Sequence, residues 1–125
     1  MDISTHIDHK AGIRQHKVSG LIDIEKLKIF LKGLYTTPDL EPNMDVVWDL
    51  GEADFSAVSS SDVRAVKELV VKYWGVGGKS KAALVVSREL DFGLTRMYES
   101  LMSGATTSKV MVFKNLKEAY EWLRK

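Results

Sequence analysis

One stretch constrains the fold of this chain more than any other. Lys81-Ala82-Ala83-Leu84-Val85-Val86-Ser87 is apolar at every interior position, with no alternation between a wet and a dry face. Such a run is a strand covered on both sides, as parallel strands between helical layers are. Its flanks agree. Val63, Val66, Leu69, Val70 and Tyr73 precede it, and Phe92, Leu94, Met97, Tyr98, Leu101 and Met102 follow it, both sets at helical spacing. Strands separated by helices need crossover connections, and these are right-handed.

The rest of the chain repeats the alternation. Ile3 to Lys10 and Ile13 to Val18 form a hairpin turning at Ala11-Gly12, where glycine accepts a positive φ. Ile3, Thr5 and Ile7 face one way and His6 and Asp8 the other, so the first strand is an exposed edge. Gly20 breaks the pattern. Ile24, Leu27, Phe30, Leu31 and Leu34 then predict a helix over 24–35, with Asp23 as its N-cap. Pro38 and Pro42 bracket a loop. Met44 to Leu50 reads as a central strand with Asp49 at its C-terminal end. Gly51 to Ser60 reads as a loop, and Ser60, Ser61 and Asp62 compete to cap the following helix. Gly104 stands at the end of the third helix. Val110 to Phe113 is the last strand. Asn115 opens a final helix with Leu116, Ala119, Tyr120 and Leu123 on one face.

The order is β-β-α-β-α-β-α-β-α. It predicts a single α/β domain over residues 1–125, with four helices and a mixed, mostly parallel five-stranded sheet. The antiparallel member is the N-terminal hairpin strand.

Composition narrows the function. Lys and Arg number 18 and Asp and Glu 17, a net charge of +1, without the basic excess of a nucleic-acid-binding domain. The chain has no cysteine, which excludes disulfides, thiolate catalysis and Cys-ligated metals. No apolar run reaches the roughly 20 residues of a membrane span, and MDISTHIDHK lacks a signal-peptide core. The expectation is a soluble cytoplasmic protein with no integral membrane segment, no nucleic-acid partner and no cofactor.

Motifs are few. Gly75 to Ser80 ends like a phosphate loop, but the required first glycine is Tyr73, and the segment joins a helix to a strand rather than the reverse. His6, His9 and His16 are read as surface or edge-strand residues, and His6 and His9 point to opposite faces, so no metal site is expected. Trp48, Trp74 and Trp122 read as core or semi-buried fillers.

The pointed feature is a polar loop with Ser56 and Ser59-Ser60-Ser61-Asp62 after a parallel strand and at a helix start. Ligands of open α/β sheets bind beyond the carboxyl ends of the strands, and helix N-termini favour anions. Phe55 stands beside that loop as a candidate pocket wall. Arg88, after the strand ending at Ser87, is the best-placed cation for an anionic ligand. The candidate site is therefore Gly20, Leu21, Asp49, Asp54, Phe55, Ser59, Ser60, Ser61 and Arg88, with N-capping as the structural alternative for the serines and Asp49.

These residues carry a resemblance. The hairpin followed by Val18-Ser19-Gly20-Leu21-Ile22-Asp23 resembles the opening of STAS domains (sulfate transporter and anti-sigma factor antagonist). Val47-Trp48-Asp49-Leu50, Phe55 and Ser59-Ser60-Ser61 resemble that fold's strand, loop and serine-bearing helix start. Lys114-Asn115-Leu116-Lys117-Glu118-Ala119-Tyr120-Glu121-Trp122-Leu123 resembles the closing segment of the bacterial SpoIIAA-like branch. The resemblance implies a small α/β sandwich, similar also to CRAL-TRIO lipid-transfer domains. In anti-sigma factor antagonists a serine at this helix start is phosphorylated, and the matching positions are Ser60 and Ser61. The sequence departs from that pattern, with Ser59 in place of an aspartate and Asp62 in place of a glycine.

Three functions are in view. The first is a non-enzymatic regulatory module binding a small anionic, amphipathic or lipid-like ligand, or a protein partner. The second is a phosphoserine-switched interaction module. The third is a small serine hydrolase. Homodimerisation through the edge hairpin is also in view.

Overall fold

The computed structural model describes residues 1–36, 44–74, 80–106 and 109–125, the side chain of Trp74 excepted. Pro38, Pro42 and the glycine-rich 75–79 lie outside the described residues. The elements are β1 (Asp2–Asp8), β2 (Ile13–Leu21), α1 (Ile24–Tyr35), β3 (Asp45–Asp54), α2 (Ser60–Trp74), β4 (Lys81–Val85), α3 (Glu89–Ser103), β5 (Lys109–Phe113) and α4 (Leu116–Leu123). The sheet runs β1-β2-β3-β4-β5, with β1 antiparallel to β2 and every other pair parallel. The fold is thus the α/β sandwich with a mixed five-stranded sheet that the alternation predicts.

Gly12 turns the hairpin at φ +69, in the left-handed region that side-chain-bearing residues avoid. Asp23 caps α1 by accepting the Lys26 amide hydrogen at 3.2 Å. Asn115 caps α4 in the same way through Glu118.

Two layers enclose the sheet. Ala119 and Leu123 of α4 pack on Ile13, Val47, Ala83 and Val85. On the opposite face, Leu31 of α1, Val70 of α2 and Met102 of α3 meet around Trp48 and Val110. α4 is short and covers mainly β3–β5, reaching β2 through Ile13 and a hydrogen bond from the Tyr120 hydroxyl to Gln15 Oε1. The β1–β2 strip beside it carries Ser4, His6, Gln15 and Lys17, which need no cover. At the far edge, Glu99 of α3 accepts the Val112 amide hydrogen of β5 at 2.8 Å. That occupies an edge donor otherwise open to a further strand.

Several sequence expectations need correction. β2 does not stop at Val18: it runs through Gly20, at φ +81, to Leu21. β3 does not stop at Leu50, because Glu52, Ala53 and Asp54 pair with Ser19, Gly20 and Leu21. Gly104 does cap α3, but at φ −91, in the ordinary right-handed region. The N-cap of α2 is none of the three residues in competition. Ser59 Oγ accepts the Asp62 amide hydrogen and Asp62 Oδ2 accepts that of Ser59, a reciprocal capping box.

His16 is the largest correction, since it is buried completely. Its ring lies 4.4 Å from that of Trp48 and 5.5 Å from Phe30. Arg14 Nε donates to its Nε2 at 3.0 Å, so the ring proton sits on Nδ1, 2.8 Å from Thr5 Oγ1.

Candidate functional site

The carboxyl ends of β2, β3 and β4 converge at one rim, and a bulge in β3 decides which residues reach it. Opposite Lys17 to Ser19 of β2, β3 spends one extra residue between Asp49 and Glu52. Asp49 Oδ1 accepts the Gly51 amide hydrogen at 3.2 Å, and Ser87 Oγ donates to the Gly51 carbonyl at 3.0 Å, so the extra residue's neighbourhood is tied on both sides. The bulge turns both Leu50 and Ala53 to the helical layer of α1–α3.

Asp49 itself faces the other way. Trp48 and Leu50 join the α1–α3 side, Val47 packs on α4, and the Asp49 carboxylate bears on Tyr120 of α4. Asp49 is therefore separated from the serine loop by the sheet, and it serves the bulge. The alternation of side chains along a strand places it there. Gly20 does not open a site either. It lies under Met1, whose Cα stands 3.7 Å from where a Cβ would be. Leu21, half-exposed, ends β2 opposite Asp54.

Asp54, Arg88 and Asp91 form the charged part of the rim. Asp54 accepts the Ser56 amide hydrogen at 2.9 Å. That bond, a second from the Ser56 side chain and the nearby Arg88 guanidinium hold its carboxyl below the usual range. Arg88 is the N-cap residue of α3, and Asp91 lies in the first turn of that helix. Burial pushes the Asp91 carboxyl up, Arg88 pulls it down and Asp54 pushes it up again. Arg88 thus lies within electrostatic reach of two carboxyl groups, with no salt bridge to either among the described residues.

The serines are occupied with each other. Ser59 Oγ lies 2.9 Å from Ser61 Oγ as well as capping α2. Ser60, the first residue of α2, is exposed.

Beneath this rim lies a cavity of about 120 Å³ between the sheet and helices α1–α3. Phe55, Val58 and Leu50 wall it at the carboxyl end; Leu31, Val70 and Tyr35 wall it toward the end of α1. Its polar groups are few. Thr95 Oγ1 donates to its own helix, to the Asp91 carbonyl at 2.9 Å. Tyr98 is different. It lines the cavity; no hydrogen bond joins its phenol to another described residue, and the fully buried side-chain atom left without a partner among the described residues is Ser80 Oγ rather than the phenol. Burial drives its ionisation well above the ordinary tyrosine range, with Tyr35 close enough to add to the effect. Burial likewise pushes Tyr35 up to about 12, so both remain neutral phenols at neutral pH.

Of the expected residues, only Phe55 lines this cavity; Asp54 and Arg88 flank the rim above it. Tyr35, Thr95 and Tyr98 are absent from the sequence-based site. The signal for Tyr98 is faint: one hydroxyl inside an otherwise apolar helical stripe.

No protein-family profile matches the chain, and no curated protein is similar to it in sequence. Among solved structures, it is similar to an uncharacterised protein of the DUF3478 family with a SpoIIAA-like fold from Shewanella loihica PV-4. The two share 18% identity and superpose with a TM-score of 0.60 over 98% of this chain and 92% of the other. With its edge hairpin, parallel β2–β5 and helical layers on both faces, this chain has the SpoIIAA-like fold.

Proposed function

We propose that this chain is a non-enzymatic binding module that takes a small, ring-sized apolar ligand carrying one hydrogen-bonding group. The single observation that supports the reading is Tyr98, a phenol without a partner among the described residues inside an apolar cavity. Apolar cavities of about 150 Å³ take up benzene-sized molecules. A hydrogen bond to that phenol is worth roughly 0.5–1.5 kcal/mol net, so a ligand that pairs with it gains over one that does not. Two carboxyl groups, Asp54 and Asp91, near the single cation Arg88 favour a neutral group over an anion. Binding is favoured over hydrolysis because the serines cap and pair, while buried His16 spends both ring nitrogens on Thr5 and Arg14.

The test uses p-cresol and toluene, which differ by one hydroxyl. Both should raise the melting temperature of the wild-type protein, p-cresol binding more tightly by up to about tenfold. Tyr98→Phe should erase that preference and leave toluene binding in place. Absence of saturable binding by either compound would refute the cavity as a site. An unchanged preference in the variant would refute the role of Tyr98.

A second reading rests on Ser60. It stands exposed at the positive end of α2, where a phosphate is accommodated by the helix dipole. Incubation with host kinases and mass spectrometry tests it, and an unmodified Ser59–Ser61 segment would count against it.

A further inference from the structure

Arg14 is 4% exposed, yet no carboxylate among the described residues lies within salt-bridge distance of it. Its Nε–H is spent on His16. Its terminal nitrogens carry four further N–H donors; none makes a hydrogen bond among the described residues, and none is fully sealed without a partner. Buried cations are ordinarily paired, because desolvating a charge without a counter-charge is costly. Among the described residues, the surroundings do not compensate. Neighbouring His16 is neutral, held so by burial and by Arg14 itself, and its ring is enclosed by Trp48 and Phe30. Ile7 and Val46 flank Arg14 in the sheet. Tyr35 interacts with Arg14 electrostatically, but it is a neutral phenol. Tyr35 is also the last residue of α1, and a helix carbonyl end offers about half a negative charge against a full positive one.

We infer that Arg14 is the anchor of a second site, which binds a small organic monocarboxylate at the amino end of the parallel strands. The planar guanidinium offers two parallel N–H bonds to a carboxylate. A single cation balances a monoanion, whereas a phosphate dianion would leave net negative charge beside Trp48, Phe30 and Ile7. The site does not share the cavity at the other end of the sheet: Arg14 is not among the residues lining it, although Tyr35 touches both. The two readings therefore stand or fall separately.

Acetate and benzoate titrations followed by the Arg14 Nε–H resonance test the inference. Saturable movement of that resonance below about 50 mM carboxylate is expected, with sodium chloride as the control. Arg14→Lys keeps the charge but loses the fork, and should weaken binding about tenfold or more, followed in wild type and variants alike through the backbone amides of the sheet neighbours Ile7 and Val46. Arg14→Met should abolish it, with the backbone amide spectrum reporting the fold. No saturable movement, or equal binding by Arg14→Lys, would overturn the site. So would an Asp39→Asn or Glu41→Gln variant that moves the Arg14 Nε–H resonance without added carboxylate, since the chain would then supply its own counter-charge.

Discussion

Acidification should destabilise this protein well before its carboxylates titrate, through His16. The imidazole is fully buried, and its pKa is lowered from 6.5 to about 3, by burial first and by Arg14 second. The unfolded chain exposes the same ring at its ordinary value. Below pH 6.5 the unfolded state takes up a proton that the folded state refuses, so stability falls as pH drops. Between pH 7.5 and 5 the loss from this group is about 2 kcal/mol, from RT ln(1 + 10^1.5). Because pH 5 lies well above the folded value, the figure depends on the unfolded one. Urea denaturation at the two pH values measures it. His16→Gln keeps an acceptor for Arg14 and a donor for Thr5 but does not titrate, so its curve subtracts the contributions of every other group, Asp54 and Asp91 included. Equal pH dependence in wild type and variant would show that the ring accepts a proton in place, and the buried Arg14–His16–Thr5 chain would be refuted.

Three further outcomes follow from the same geometry. Ser59→Ala should cost about 1 kcal/mol of stability by removing the α2 cap, whereas Ser60→Ala should be close to neutral in chemical denaturation. Asp49→Ala should release the Gly51 amide and loosen the β3 bulge, raising hydrogen exchange at Gly51 to Asp54 while β4 and β5 stay protected. Met102→Ala, at a fully buried position where α1, α2 and α3 meet, should cost about 2–5 kcal/mol by the same measurement.

What the sequence shows of this molecule is its periodicity, and what it hides is parity. The stripe from Ile24 to Tyr35 and the unbroken Ala82–Val86 run correspond closely to α1 and to β4 with its extension, because burial on one or both faces writes itself into apolar spacing. Gly51-Glu52-Ala53-Asp54 reads as a loop because all four of its residues are poor strand formers, and Ser19–Leu21 of β2 imposes the pairing from outside the segment. That extension carries the bulge and takes the strand on to Asp54. Asp49 and Asp54 are equivalent candidates on paper; Asp54 ends β3 near Arg88, whereas Asp49 lies before the bulge and bears on Tyr120 of α4. His16 misleads for a related reason. An edge hairpin is expected to be wet on both sides, but α1 lays Phe30 across β2 and seals the ring in. The cavity leaves no sequence signature, since three apolar stripes announce a core without showing whether the space between them is filled.

Filling that space separates a binding site from a packing defect. An enclosed apolar void of about 120 Å³ would cost on the order of 3 kcal/mol at roughly 24 cal/mol per Å³, and this one, partly open to solvent, costs less. Val66 lines the cavity from α2, and Val66→Phe would place a ring in it without disturbing the Ser59 cap or Tyr98. If the void is preformed, the substitution should stabilise the protein by about 0.5–2 kcal/mol, as cavity-filling changes commonly do. It should at the same time abolish binding of toluene and p-cresol. Stability gained together with binding lost is the trade expected where the fold keeps space for a ligand. A loss of 1–3 kcal/mol instead would be the cost of overpacking. It would mean that the walls around Val66 leave no usable room, and the proposed ligand site would fail with them.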